Sequence, residues 1–316
     1  MTEHKPSCIV LGGGGFIGTN LCRRLVDEGH RVGAFGRNRP YTEALEGVEL
    51  FRGDFTDATS LALAIETFDV VYHLVHGATP QSANLDMAGD VERNVIASIN
   101  MIEVCRKLGV DRIVYVSSGG TIYGCPQQVP TPETAPTEPI TAYGISKLAI
   151  EKYFALYQHL HQVDYRILRV TNPFGPFQNA AKNQGVIASI ILRILRNEEM
   201  EIWGDGSVVR DFIFVDDVVD ALIAAMHDRG GARIFNIGSG EGHNLRHVIA
   251  SIERLLGKKL HIQWKPARPH DVPVSVLTID RAREMLGWTP KTNFEEGLSR
   301  TIAWWQRELP VGRPRL

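Results

Sequence analysis

Only four cysteines occur in the 316 residues, Cys8, Cys22, Cys105 and Cys125. They are widely scattered and none forms a CxxC pair, which argues against a disulfide framework and against cysteine-held metal. Free or buried thiols in a reducing cytoplasm are the expectation. An excess of charge of one sign is also missing. Lys and Arg number 34 against 36 Asp and Glu, a formal net charge of −2. No bulk field therefore draws the chain to nucleic acid or to an anionic membrane. The apolar run ahead of the first glycines is too short for a signal peptide or a membrane span. Internal repeats, low-complexity tracts and flexible linkers are absent.

What is present is an ordinary globular composition, 44% hydrophobic and 22% charged, long enough to bury a large core without metal or disulfides. The first half alternates short apolar runs with helix-period segments. "SCIVLG", "RVGAFG", "VELFRGD", "DVVYHLV", "RIVYVSS" and "YRILRV" read as strands, and most are apolar throughout. "FIGTNLCRRLVDEGH", "DATSLALAIETF", "DVERNVIASINMIEVCRKLGV" and "AYGISKLAIEKYFALYQHL" read as helices, the third ending at Gly109. Buried apolar strands alternating with helices predict an α/β fold, a Rossmann-type doubly wound parallel sheet. The proline-rich stretch 125–141 predicts a surface loop. After about residue 172 the alternation breaks down. "GVIASIILRILRNE" predicts a helix, and "MEIWGDGSVVRDFIFV" predicts strands around a turn, in a smaller second α/β unit.

Four consecutive glycines in "LGGGGFIG" open the first strand–helix junction with the spacing Gly12-x-x-Gly15-x-x-Gly18. Between a strand and a helix this is the dinucleotide fingerprint. Its glycines permit the tight turn, the approach of a pyrophosphate and close helix packing. The uncapped helix start offers N–H groups to phosphate. Phe16 and Ile17 lie between the last two glycines, and Leu74 follows the fourth apolar strand. The second strand ends in Gly36 and Arg37, where an acid usually meets the adenosine ribose. Glycine admits a 2′-phosphate and arginine pairs with one, so the residues lean to NADP. Asp54 and Phe55 in "RGDFTD" sit at a strand end suited to the adenine.

Tyr143 and Lys147 in "YGISK" share one helix face. A free phenol titrates near ~10, and a neighbouring ammonium favours its phenolate, as a general base requires. With these pieces the chain resembles the extended short-chain dehydrogenase/reductases, in the nucleotide-sugar epimerase and dehydratase group, above all their UDP-galactose and UDP-N-acetylglucosamine 4-epimerases. The resemblance runs nearly end to end, through "GGGGFIG", "RGDF", "VVYHL", "RNV", "VYVSSGGTIYG", "YGISK", "LRVTNPFGP", "WGDGSVVRDFIFVDD" and "NIGSG".

The resemblance implies the following roles. Tyr143 is the base at the sugar 4-hydroxyl, and Lys147 binds the nicotinamide ribose and tunes Tyr143. Asn94 lies near the nicotinamide. Asn172, Arg210 and Arg268 hold the nucleotide diphosphate, and Asp271 sits by the uridine ribose. Ser275 stands where stricter relatives carry a bulky tyrosine, so acetamido sugars are expected to fit. The third position of the Ser-Ser turn is Gly119, so Ser118 or Thr121 must hold the reacting hydroxyl; the choice between them stays open. No acid stands at Gly119 or Gly120, which argues against dehydration. His76 is read as a packing residue, and Asp216 and Asp217 as helix caps.

The implied function is 4-epimerisation through a 4-keto sugar, with a tightly bound cofactor that the resemblance makes NAD, in surface polysaccharide or O-antigen synthesis. A reductase or dehydratase of the same family, or a non-catalytic dinucleotide-binding module, are the alternatives. The domains are expected at 1–172 for the dinucleotide, with a segment near 211–238 returning to it, and at 173–316 for the nucleotide sugar. A homodimer through helices 90–107 and 143–161 is implied, and no metal.

Overall fold

The computed structural model describes residues 5–37, 41–179, 185–267 and 272–309. Its centre is a seven-stranded parallel sheet. The first strand, β1 (Cys8–Leu11), is buried at every residue and leads into α1 (Phe16–Asp27). There follow β2 (Val32–Gly36), β3 (Glu49–Arg52), α2 (Ala58–Ile65), β4 (Val70–His73), and the short helices α3 (Pro80–Leu85) and α4 (Met87–Asp90). Next come α5 (Ala97–Leu108), β5 (Arg112–Ser118), α6 (Ala142–His161) and β6 (Tyr165–Val170). Local signals explain several ends. Asp57 caps α2 by accepting from the Thr59 N–H, and Gly109 closes α5 in the left-handed conformation.

After β7 (Asn172–Phe174), α7 (Val186–Arg196), β8 (Glu199–Trp203) and β9 (Val209–Phe214), the chain re-enters the large sheet through α8 (Val215–His227) and β10 (Ile234–Ile237). It continues with β11 (Gly242–Asn244), α9 (Leu245–Leu256), β12 (His261–Lys265), β13 (Val274–Ser275), α10 (Asp280–Leu286) and α11 (Phe294–Glu308). The large sheet has the order β10-β6-β5-β4-β1-β2-β3. Connections leave β1 in opposite directions, so the order reverses between β1 and β4. Such a reversal opens a crevice at the carboxyl ends of the strands, where ligands of open α/β sheets bind.

Two apolar cores cover this sheet, α1, α8 and α10 on one face and α2, α5 and α6 on the other. A third, built from α7, α9 and α11 against β7 and β9, forms the smaller unit.

The stretch "MEIWGDGSVVRDFIFV" forms the expected strands around a turn, although the two do not pair with each other: β8 pairs with β12, whereas β9 pairs with β7, β11 and β13. The alternating burial of β8 and the buried end of β9 suit different partners. Within the segment expected near 211–238, the chain returns to the large sheet through α8 and β10. Asp216 and Asp217 are not caps, since α8 starts at Val215 behind Phe214. Asp216 pairs with Arg300, and buried Asp217 accepts the Lys291 and Thr292 N–H groups, tying α8 to the α10–α11 loop. Their charges still suit the first turn of a helix. Finally, the long helix expected up to Gly109 contains a π turn at Val91–Ile96. Such wide turns recur at functional sites, and this one carries Asn94.

Candidate active site

A cleft of about 740 Å³ lies at the crevice. Gly12, Gly15, Phe16, Ile17, Gly18, Arg37, Asp54, Phe55, Leu74, Tyr143 and Lys147 all line it, so residues up to 135 positions apart converge as the sequence pattern requires. Gly12 has φ +90°, a conformation that strains any other L-residue. A Cβ on Gly18 would overlap the Gly12 carbonyl oxygen, and one on Gly13 would stand 2.5 Å from the Ala34 Cβ. The first turn of α1 has no side-chain cap. The junction thus leaves bare backbone and N–H groups facing the cleft, which fits a pyrophosphate.

At the other end of the cleft stands Tyr143 on the first turn of α6, which Thr141 caps. The Ser118 side chain at the end of β5 lies beside its phenol and favours the ionised form. Burial and the nearby Asp90 charge push the phenol up to about 12 in the protein alone. The Lys147 Nζ donates to the Val116 carbonyl at 2.8 Å and lies 5.8 Å from the Tyr143 ring centre. Burial pulls this ammonium down to about 7, although Glu151 and Asp90 favour its charge.

One consequence is measurable. Between about pH 7 and pH 9 the unfolded chain holds the lysine proton, with an ordinary value near 10.5, and the folded chain releases it. The Lys147 contribution to the stability of the cofactor-stripped protein, read as the difference from Lys147→Met, should therefore rise with pH in this window by on the order of 1 kcal/mol per pH unit. The buried thiols Cys8, Cys22 and Cys105, pushed up by burial, lower the stability of both proteins toward pH 9. Urea unfolding of the protein and of Lys147→Met across this window should show the difference growing.

The two hydroxyls left open by the sequence separate. Ser118 stands beside the Tyr143 phenol, whereas the Thr121 hydroxyl is buried without a protein partner. Gly119 is closed to any side chain, because a Cβ there would meet Leu277 and stand 2.9 Å from the Arg169 carbonyl oxygen. Asn94 lies behind the cleft wall instead of on it. Its Oδ1 accepts the Gly77 N–H at 2.8 Å, and its Nδ2 donates to the Asp90 backbone oxygen and Oδ1. Asp90 is buried at the end of α4 and Asn94 within the π turn that follows, so Asn94 acts by shaping the loop after β4.

His76 packs edge-on against Tyr143, ring centres 4.4 Å apart, with its Nε2 3.7 Å from Asp90 Oδ1. Burial first, then the Lys147 charge, push it down to about 2, so the ring is neutral and the contact with Asp90 is no ion pair. Asp90 is fully buried and accepts from Ser146 at 2.6 Å. Nothing in the spacing of Asp90 pointed to this site; its helix carried only a surface pattern.

A second cavity of about 310 Å³ is lined by Asn172, Arg210, Phe212 and Val186 among others, and Gly185 borders both cavities. Asn172 donates to the Asp211 carbonyl, and Arg210 to the Val209 and Val272 carbonyls. Ser275 is buried on β13, in register with Arg210. Arg268 and Asp271 lie outside the described residues. Among the described residues there is no metal-binding cluster, and no helix is long and apolar enough to cross a membrane.

Residues 8–238 match the model of the NAD dependent epimerase/dehydratase family. The chain is 33% identical over 308 residues to a UDP-glucose 4-epimerase of Mycolicibacterium smegmatis, covering 95% of this chain and 98% of that protein. It is similar to the solved UDP-glucose 4-epimerase of Thermotoga maritima with UDP-glucose, with TM-score 0.90, 33% identity and 96% and 99% of the two chains covered. It is also similar to the Thermus thermophilus UDP-glucose 4-epimerase in complex with NAD, with TM-score 0.88, 32% identity and 95% and 99% covered.

Proposed function

The chain belongs to the NAD dependent epimerase/dehydratase family, and on that premise we propose that it is an NAD-dependent nucleotide-sugar 4-epimerase. Its substrate is a UDP-linked hexose or N-acetylhexosamine, with a UDP-linked uronic acid as the nearest further candidate. The observation that carries this reading is Tyr143, beside Ser118 and backed by Lys147, at the end of a glycine-lined cleft. The turn 117–121 holds no carboxylate to assist loss of water. The solved relatives with UDP-glucose and with NAD support the ligand classes.

In this reading Gly12, Gly15, Gly18 and the start of α1 hold the pyrophosphate, Asp54 and Phe55 flank the adenine, and Lys147 holds the nicotinamide ribose. A bound nicotinamide supplies reversible hydride acceptance at sugar C4 and a positive charge beside the phenol. Tyr143 takes the proton of the 4-hydroxyl and returns it to the same oxygen. Ser118 orients that oxygen, and the Lys147 ammonium stabilises the phenolate. Asn172, Arg210, Arg268 and Asp271 hold the nucleotide while the sugar turns over. Ser275 leaves room for an acetamido group.

The test is incubation of the purified protein, with no added nicotinamide, with UDP-glucose, UDP-N-acetylglucosamine and UDP-glucuronate in turn. Proton NMR reads the configuration at C4. Inversion of at least one sugar is the expected result; unchanged sugars in all three, with cofactor demonstrably bound, would sink the reading.

We also read the protein as a homodimer. Ile145, Tyr153, Leu156 and Leu160 are exposed on one face of α6, beside exposed Val91 and Ile96. An apolar stripe of this kind favours a partner surface. Light scattering after size exclusion should give twice the 35.1 kDa chain mass, and Leu156→Glu should shift it toward that of one chain.

A further inference from the structure

Dinucleotide sites of this sheet type usually end the second strand in an acid, whose carboxylate holds the adenosine ribose and repels a 2′-phosphate. Here β2 ends in Gly36. A Cβ built on Gly36 meets nothing within 4 Å. The room a carboxylate needs is therefore open, and Gly36 borders the main cleft together with Arg37 and Asp54.

The Arg37 side chain is 71% exposed. Its Nη1 reaches Asp54 Oδ2 at 3.4 Å, the weak end of hydrogen-bond distances. Asp54 has better partners: its Oδ1 accepts the Thr56 N–H at 2.9 Å and the Thr56 hydroxyl at 2.8 Å. Those bonds, the backbone one foremost, hold its carboxyl below the usual range, and the Arg37 charge adds the smallest of the contributions. Across the strand pair, the register partner of Gly36 is Arg52, also exposed. Two arginines and one already satisfied carboxylate thus surround an open strand end. A dianionic phosphate offers a guanidinium two oxygens at once, a better match than one carboxylate oxygen at 3.4 Å.

We infer that the end of β2 is a subsite for a ribose 2′-phosphate, recognised by Arg37, so that the cleft takes NADP as well as NAD. The inference rests on the dinucleotide part of the proposed function and not on the sugar chemistry.

The test is equilibrium binding to the cofactor-stripped full chain, read by calorimetry, with NAD, NADP, 5′-AMP and adenosine 2′,5′-bisphosphate as titrants. NADP is expected to bind within about tenfold of NAD, and the bisphosphate more tightly than 5′-AMP. Arg37→Ala should weaken NADP roughly ten- to a hundredfold more than NAD, the range of one charge-assisted phosphate contact. Gly36→Asp should turn the preference to NAD by about a hundredfold or more, through repulsion and ribose binding. Circular dichroism confirms that each variant is folded; Arg37 is exposed, so its variant tests the subsite even if Gly36→Asp does not fold. NADP binding over a hundredfold weaker than NAD, with Arg37→Ala leaving that ratio unchanged, overturns the inference and leaves the epimerase reading standing. Binding of neither dinucleotide overturns both.

Discussion

Tyr143→Phe should lower epimerase turnover by about 10²–10⁴-fold, the usual worth of a positioned general base, while the folded protein keeps its cofactor. The phenyl ring preserves the edge contact that His76 makes at 4.4 Å and the packing under Lys147. What it removes is the phenol oxygen beside Ser118, the group proposed to take the sugar proton. Burial holds that phenol near 12 in the protein alone, so it becomes a base only when positive charge gathers beside it. Lys147 is the cation that lies beside the ring, and its own charge is held weakly. The variant should therefore bind NAD as the parent does, melt at the parent's temperature and invert C4 far more slowly. Turnover within a few-fold of the parent would remove Tyr143 from the chemistry.

Arg169→Met should cost about 3–5 kcal/mol of stability, the penalty for leaving a buried charge without its partner. Arg169 and Glu151 are each 3% exposed. The guanidinium Nη2 meets Glu151 Oε2 at 2.6 Å, and its Nη1 donates to the Tyr123 hydroxyl at 2.8 Å. Tyr123 in turn donates to Asn236 Oδ1 at 2.7 Å, and the Ser117 hydroxyl to Glu151 at 2.5 Å. This chain of bonds ties α6 to β5, β6 and β10 one turn beyond Lys147, so it also sets where the catalytic helix sits. Urea unfolding should show the loss in Arg169→Met and recovery of most of it in Arg169→Met with Glu151→Leu, which removes both charges. A single variant as stable as the parent would mean that Glu151 reaches water or takes a proton.

Much of this was open to reading in one dimension. Except for the edge strand β3, the strands of the large sheet are largely buried on both faces, so most of their sequences are apolar runs, and the helices between them show one apolar face. The glycine spacing and the Tyr-x-x-x-Lys pair are local patterns, because one turn and one helix suffice to place their atoms. Eleven of the cofactor and catalytic residues named from sequence line the same cleft. Less legible were β8 and β9, adjacent in sequence yet in different sheets, since a strand's pattern records which faces are buried and not which edge it pairs with.

The sequence by itself determined the sheet, the bare glycine junction and the placing of Tyr143 and Lys147 on one helix face, because each depends on contacts within a few residues or on burial that composition records. Tertiary structure alone decided the rest. It closed Gly119 with Leu277 and the Arg169 backbone, and so left Ser118 at Tyr143. It buried Asp90 at the end of α4 and Asn94 within the π turn that follows. It set Glu151 against Arg169, and left the space beyond Gly36 open. Each of these depends on which distant segment fills, or leaves empty, the volume beside a residue, and no local pattern carries that information.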